Sequence, residues 1–203
     1  MRYEIKRATA EHASDLAKLL LDASSGVIEA IYGGLIPGEP TWKSVERRFH
    51  RLGTTGSFSN CYVATDGVTV FGGMHAHPMD DLLNDPPSHL IPEDRLWITG
   101  PFEKLDPAAA GTFHINFVSV FEPFRGKGIG SALIRRASRE AARLMLDEVS
   151  LIVFDRNRRA VQLYEQLGFA EVARHPAPRH KAIGRDGDII LMVGRAAATQ
   201  QKC

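Results

Sequence analysis

The sequence predicts an α/β fold, a mixed sheet with helices on its faces, and three observations carry that expectation. First, short apolar runs with strand character (112–120, 149–154) alternate with stretches of helical spacing (129–144, 158–167). Second, two β-rich runs, 60–65 and 68–76, are parted by Asp66-Gly67, a strong hairpin signal. Third, 203 residues with 44% hydrophobic and 24% charged side chains make one substantial core and exclude wholesale disorder. They are too few for two ordinary domains and a linker, so the chain reads as a single domain over 1–195 with a tail over 196–203 expected to be mobile.

Tyr3 to Ala8 reads as a short strand and Thr9 as a helix N-cap. Ala13, Leu16, Leu19, Leu20 and Ala23 then recur at helical spacing. Residues 24–40, rich in Gly and Pro, read as a loop with a short helix near Val27 to Tyr32, followed by a second helix over Trp42 to Leu52. After the hairpin, 77–111 holds six prolines and no sustained periodicity, so it is read as an insertion of the kind that serves as a substrate lid. Ile129, Leu133, Ala137, Ala141 and Leu144 mark one helix face, with Arg135, Arg136, Arg139 and Arg143 on a solvated one. Val149 to Phe154 reads as a strand buried on both sides. Asp155 or Asn157 caps the next helix, and Gly168 with Phe169 ends it. The last strands are 169–173 and 188–193.

Charge narrows the function. Twenty-five basic against 24 acidic residues, a formal net charge of +1, is no general nucleic-acid or membrane-surface binder. Two cysteines, Cys61 and Cys203, make no disulfide framework, Cys61 reading as a buried strand thiol. The N-terminus lacks an apolar leader, and no run suffices to cross a membrane, so a cytoplasmic protein is expected.

The chemistry concentrates in Val118-Ser119-Val120-Phe121-Glu122-Pro123-Phe124-Arg125-Gly126-Lys127-Gly128-Ile129-Gly130-Ser131. A strand enters a loop with three alternate glycines that opens straight into a helix. Glycine permits positive φ and close approach of a ligand to the backbone. A helix N-terminus offers unpaired N–H groups and partial positive charge, a site for phosphate or diphosphate. Arg125 and Lys127 add charge at its mouth. The Walker pattern is absent, and Gly126-x-Gly128-x-Gly130 has the wrong spacing for a dinucleotide fingerprint, although Asp155 does end the next strand.

Arg125-Gly126-Lys127-Gly128-Ile129-Gly130 resembles the [QR]-x-x-G-x-[GA] acetyl-CoA loop of the GNAT N-acetyltransferase superfamily. Asn157, Ala160, Leu163, Tyr164, Gly168 and Phe169 resemble its second signature. The resemblance implies an N-acetyltransferase that moves an acetyl group from acetyl-CoA to a primary amine of a small molecule or peptide, with no metal, by direct attack in a ternary complex. It also implies a mostly antiparallel twisted sheet with splayed central strands and helices on both faces, and allows a homodimer. Backbone groups of Val118 and Val120 would pair with the pantetheine arm and polarise the thioester carbonyl. The amides from Arg125 through Gly126, Lys127, Gly128, Ile129 and Gly130 to Ser131 would bind the diphosphate, and Asn157 would contact pantetheine. Tyr164 matches the family's general acid. Where the histone-acetylating branch has a glutamate base, six residues before Val120, this chain has His114, taken to share a strand face with Asn116, Val118 and Val120. Ordered water is the alternative base, and Glu122 a weaker one. His75 and His77, on one face, lack a third ligand at diagnostic spacing. The acceptor would lie between the loop at 24–40 and the 77–111 insertion. A non-catalytic acyl-CoA sensor is the alternative function, since fold does not fix function.

Overall fold

A computed structural model of the chain describes residues 1–85, 91–183 and 187–197. Cys203, most of the expected tail and Pro86 and Pro87 of the insertion lie outside the described residues. Among the described residues seven strands form one sheet: β1 (Glu4–Arg7), β2 (Cys61–Thr65), β3 (Val70–Pro78), β4 (Phe113–Val120), β5 (Glu148–Phe154), β6 (Ala170–Pro176) and β7 (Asp188–Arg195). Their order is β1-β2-β3-β4-β5-β7-β6. All neighbours run antiparallel except β4 and β5.

One face is covered by α1 (Ala13–Ala23), α2 (Val27–Tyr32) and α3 (Thr41–Phe49), whose Leu16, Leu19, Val45 and Phe49 pack with Cys61 and Phe117 of the sheet. The hydrogen bonds from Thr9 to the His12 ring start α1 through a short 3-10 turn, so the capping position falls where the sequence placed it. Three further helices are α4 (Met79–Leu83), α5 (Gly100–Glu103) and α6 (Ile129–Arg143), and the seventh is α7 (Arg158–Gln166). The last two cover the opposite face, where Ile129, Leu133 and Val161 pack with Phe113, Ile115 and Leu151.

The segment at 77–111 has more structure than its composition suggests. His77 and Pro78 complete β3, and α4, α5 and two 3-10 turns (Glu93–Ile98 and Asp106–Ala109) follow. Each is too short to register as a period, and tertiary burial of Met79, Ile98, Leu105 and Ala109 decides them instead. Arg95 donates to the carbonyls of Ile31 and Gly33, both at 2.8 Å, which fastens the segment to the end of α2. At the other end, Ala196 and Ala197 are held by hydrogen bonds to Asp147 and Ser138, so the start of the expected mobile tail is tied down.

One irregularity moves the site residues. Along β3 and β4, His75 faces Phe117 and Ala76 faces Ile115, leaving Asn116 as an extra residue, a β-bulge. The bulge resets the alternation. His114, Phe117 and Ser119 therefore lie on the α1 and α3 side, and Val118 and Val120 on the α6 side. The period-two expectation that His114 shares a face with Val118 and Val120 is corrected here.

Candidate active site

β4 and β5 pair only over Phe113–Ile115 and Val149–Leu151. Beyond Ile115 each stays bonded to its outer neighbour, β4 to β3 as far as Val120 and β5 to β7 as far as Phe154. The two central strands thus splay, and a gap opens toward their C-terminal ends. Phe121 donates its N–H to Phe71 of β3, so alternation turns the backbone groups of Val120 and Val118 away from β3 and toward that gap.

A cavity of about 1140 Å³ runs through the gap. Its walls include Val118, Val120, Arg125, Gly126, Gly128, Ile129, Gly130 and Ser131, with Asn157 and Tyr164 arriving from α7 and His114 from the sheet. The sequence-predicted residues are brought together except for Lys127 and the weaker base candidate Glu122, which are not on the lining. Lys127 turns its ammonium to the Pro123 carbonyl at 3.2 Å and over the Phe124 ring at 5.6 Å, outside the cavity lining.

The glycine loop has the conformation that glycine alone adopts cheaply. Gly126 has φ +75 and Gly128, the residue before α6, φ +79. A Cβ built on either would meet no atom within 4 Å, so it would project into the open cradle and not into packed protein. Among the described residues no side chain caps α6, and its first turn carries no acidic residue. The N–H groups of Ile129, Gly130 and Ser131 are therefore presented to the cavity, with the helix dipole favouring an anion there. This arrangement fits a diphosphate.

Arg125 does something the sequence did not suggest. Its Nε donates to the Val120 carbonyl at 2.8 Å, and its Nη2 meets the Asp22 carboxylate at 2.6 Å. Ser119 donates to the same Asp22 oxygen at 2.8 Å. The guanidinium thus joins the end of α1 to the end of β4. No local pattern could announce this contact, which spans 103 residues of chain.

Asn157 heads α7 without spending its side chain on a cap bond, which leaves its amide for a ligand. Tyr164 sits near the other end of that helix. The Phe169 N–H returns to the Tyr164 carbonyl and the Gly168 N–H to Glu165, both at 3.0 Å, with Gly168 at φ +87. This Schellman closure fixes the last turn and the tyrosine on it. Burial pushes the Tyr164 phenol up to about 12, so it is a hydrogen-bond donor throughout the neutral range.

His114 is 4% exposed, with Nδ1 at 2.8 Å from the Ser150 hydroxyl, which in turn meets Thr112 at 2.6 Å. Its ring lies 6.3 Å from that of His77, which lies 5.2 Å from that of His75. Burial, with the neighbouring His77, pushes His114 down to about 3. Burial likewise lowers His77, and lowers His75 well below the usual range. The three are a stack of neutral imidazoles. Cys61, fully buried beside them, has its thiol pushed upward by the same desolvation.

Away from the glycine loop the cavity is bounded by Tyr32, which the sequence suggested as part of the acceptor wall, and by Arg48, Glu103 and Asp106, which it did not single out. Burial, with Glu103 next to it, raises the Asp106 carboxyl to about 6. Asp85, which also lines this end, accepts from the Thr55 N–H at 3.0 Å and the Thr55 hydroxyl at 2.5 Å. Among the described residues no helix is long and apolar enough to cross a membrane.

Comparison with known proteins agrees with this geometry. The model of the acetyltransferase (GNAT) family matches residues 36–169. An L-ornithine N5-acetyltransferase of Arabidopsis thaliana, NATA1, is 38% identical over 56 residues, which cover 28% of this chain and only a quarter (25%) of that protein. An N-acetyltransferase from Staphylococcus aureus Mu50 superposes with a TM-score of 0.66 at 16% identity, over 94% of this chain and 99% of that one. The NatC complex, in a structure bound to Gag peptide and CoA, contains a chain that superposes at 0.56 with 17% identity, over 97% of this chain and all of its own (100%). At such identities the structural likeness is one of fold.

Proposed function

Because the chain belongs to the acetyltransferase (GNAT) family, we propose that it transfers an acetyl group from acetyl-CoA to the primary amine of a small molecule or peptide, by direct attack within a ternary complex. The observation that carries this reading is the gap between β4 and β5 ending on the open glycine loop. The loop amides from Gly126 to Ser131 hold the diphosphate. Pantetheine lies in the gap against the backbone of Val118, with Asn157 on its other side. An N–H of the Val118 to Val120 strand then faces the thioester oxygen, where negative charge builds as the amine adds. The C–S bond breaks, and the departing sulfur takes a hydrogen bond and a proton from Tyr164.

The amine must shed a proton before it attacks. An imidazole held near 3 is a feeble acceptor, and His114 is already engaged with Ser150. The proton therefore leaves through water, and His114 acts as a buried prop of the sheet. The ornithine acetyltransferase relative supports a small amine as acceptor.

Gly128→Val tests the cradle. Its side chain would project into the space above the α6 N-terminus, and the expected result is a loss of acetyl-CoA binding by calorimetry of at least about a hundredfold. Unchanged affinity in a folded variant would sink the proposal. A family fold that binds without turning over, an acyl-CoA sensor, would show normal binding and no coenzyme A release with any amine.

A further inference from the structure

We propose that the acceptor is an amino acid, held by its carboxylate on Arg48 and by its amine toward Glu103 and Asp106. The inference rests on the acetyltransferase reading and names the substrate class of that site.

The argument begins with placement. Arg48, on α3, lies over β3. A Cβ on Gly56 would come within 2.7 Å of its Nε, and its charge helps keep His75 and His77 neutral. Asp106 begins the 3-10 turn that packs on β7. Between β3 and β7 lie β4 and β5, the strands that splay. The cavity is therefore lined by Arg48, with Arg51 three residues on, on one side of the gap and by Glu103 and Asp106 on the other.

These charges are not spent on each other. Among the described residues Arg48 makes no ion pair, because Asp85, the acid on its side, is turned to Thr55. Glu103 accepts from Thr99 at 2.6 Å and keeps its second oxygen, and no hydrogen bond to the Asp106 carboxylate is found among the described residues. Charges of opposite sign that line one cavity and make no ion pair among the described residues offer partners to a ligand with the complementary pair.

A separate observation points to a polar ligand in the same space. Tyr32, 3% exposed and on the cavity lining, buries a hydroxyl that has no hydrogen-bond partner among the described residues. A buried polar atom left unpaired is destabilising, and a carboxylate or amine of the acceptor would offset that.

An amine lacking the carboxylate would leave Arg48 without its partner in the cavity. Coenzyme A release is therefore followed at neutral pH with two matched pairs, lysine against cadaverine and ornithine against putrescine. Each pair differs only in the α-carboxylate. The expected kcat/KM favours each amino acid by about tenfold or more, the worth of one charge-assisted hydrogen bond. In Arg48→Met that preference falls below about threefold, and Arg48→Lys, which keeps the charge, retains part of it. Asp106→Asn raises the acceptor KM for both members of a pair and leaves the preference in place. Diamines turned over as well as their amino acids by the wild-type enzyme overturn the proposal, as does turnover of neither pair. An acetyl-CoA titration on the same preparations reports on the acetyltransferase reading separately. Normal cofactor binding without discrimination by the carboxylate sinks only the amino-acid inference.

Discussion

The guanidinium of Arg125 lies 2.6 Å from the carboxylate of Asp22, and the same arginine bonds the Val120 carbonyl at 2.8 Å. The first cation of the glycine loop is thus partly neutralised and aimed back at the strand. It positions the loop, so that under the proposed function the main-chain amides and the α6 dipole would carry the attraction for the diphosphate. Both side chains are close to half exposed, so the pair itself contributes at most about 1 kcal/mol. Asp22→Ala is expected to lower stability by that much and to raise the acetyl-CoA KM more than it lowers kcat. Arg125→Gln, which keeps a donor for Val120, is expected to weaken acetyl-CoA binding less than Gly128→Val does. Equal losses in a calorimetric comparison would return the binding role to the arginine side chain.

Tyr164→Phe removes the hydroxyl and keeps the ring that packs 6.1 Å from Phe169. Turnover is expected to drop by about 10²-fold with little change in acetyl-CoA affinity. Because burial holds the phenol near 12, wild-type kcat shows no decline from its ionisation below about pH 11. A variant that loses affinity and turnover in equal measure would make Tyr164 a packing residue.

The histidine stack gives the fold an acid limb. Folded His114 titrates near 3 while the unfolded side chain titrates near 6.5, and His75 and His77 are shifted in the same direction. Below 6.5 the unfolded chain binds more protons than the folded one. The contribution is complete above that pH and drains away as pH falls toward 3, at a rate approaching ~1.4 kcal/mol per pH unit for each such group. Asp106, raised to about 6, works the other way between 6 and 3.8, but it is one group against three. Denaturant unfolding is expected to show stability falling steeply from pH 6.5 to 5, and His114→Gln is expected to flatten part of that fall. A slope that begins only below pH 4.5 would assign acid unfolding to surface carboxylates.

Gly26 precedes α2 at φ +89, and a Cβ there would lie 1.7 Å from the Ala182 carbonyl oxygen. The backbone of 24–26 and the segment before β7 touch directly, so alanine meets both strain and overlap. Gly26→Ala is expected to cost ~3 kcal/mol or more and to raise the acceptor KM in whatever fraction folds, because Ser25 and Val27 line the cavity. A neutral effect on thermal unfolding would contradict this contact.

The sequence by itself determined what is local. The strand into 113–120, the three glycines, the helix that follows and the Gly168–Phe169 stop are each written in neighbouring residues, because turn conformation, helix start and helix stop depend on side chains a few positions apart. The double motif carried the family for the same reason. Tertiary structure alone decided where those elements aim their groups. The bulge at Asn116, which sends His114 to the face opposite Val118, exists because β3 and β4 differ by one residue between fixed pairings, and a period-two count has no way to register that. Asp22 meeting Arg125, and Arg48, Glu103 and Asp106 lining one cavity, bring together positions far apart in the chain. Only folding sets such distances, since the energy of a charge pair depends on separation and burial, and neither is a property of the residues in order.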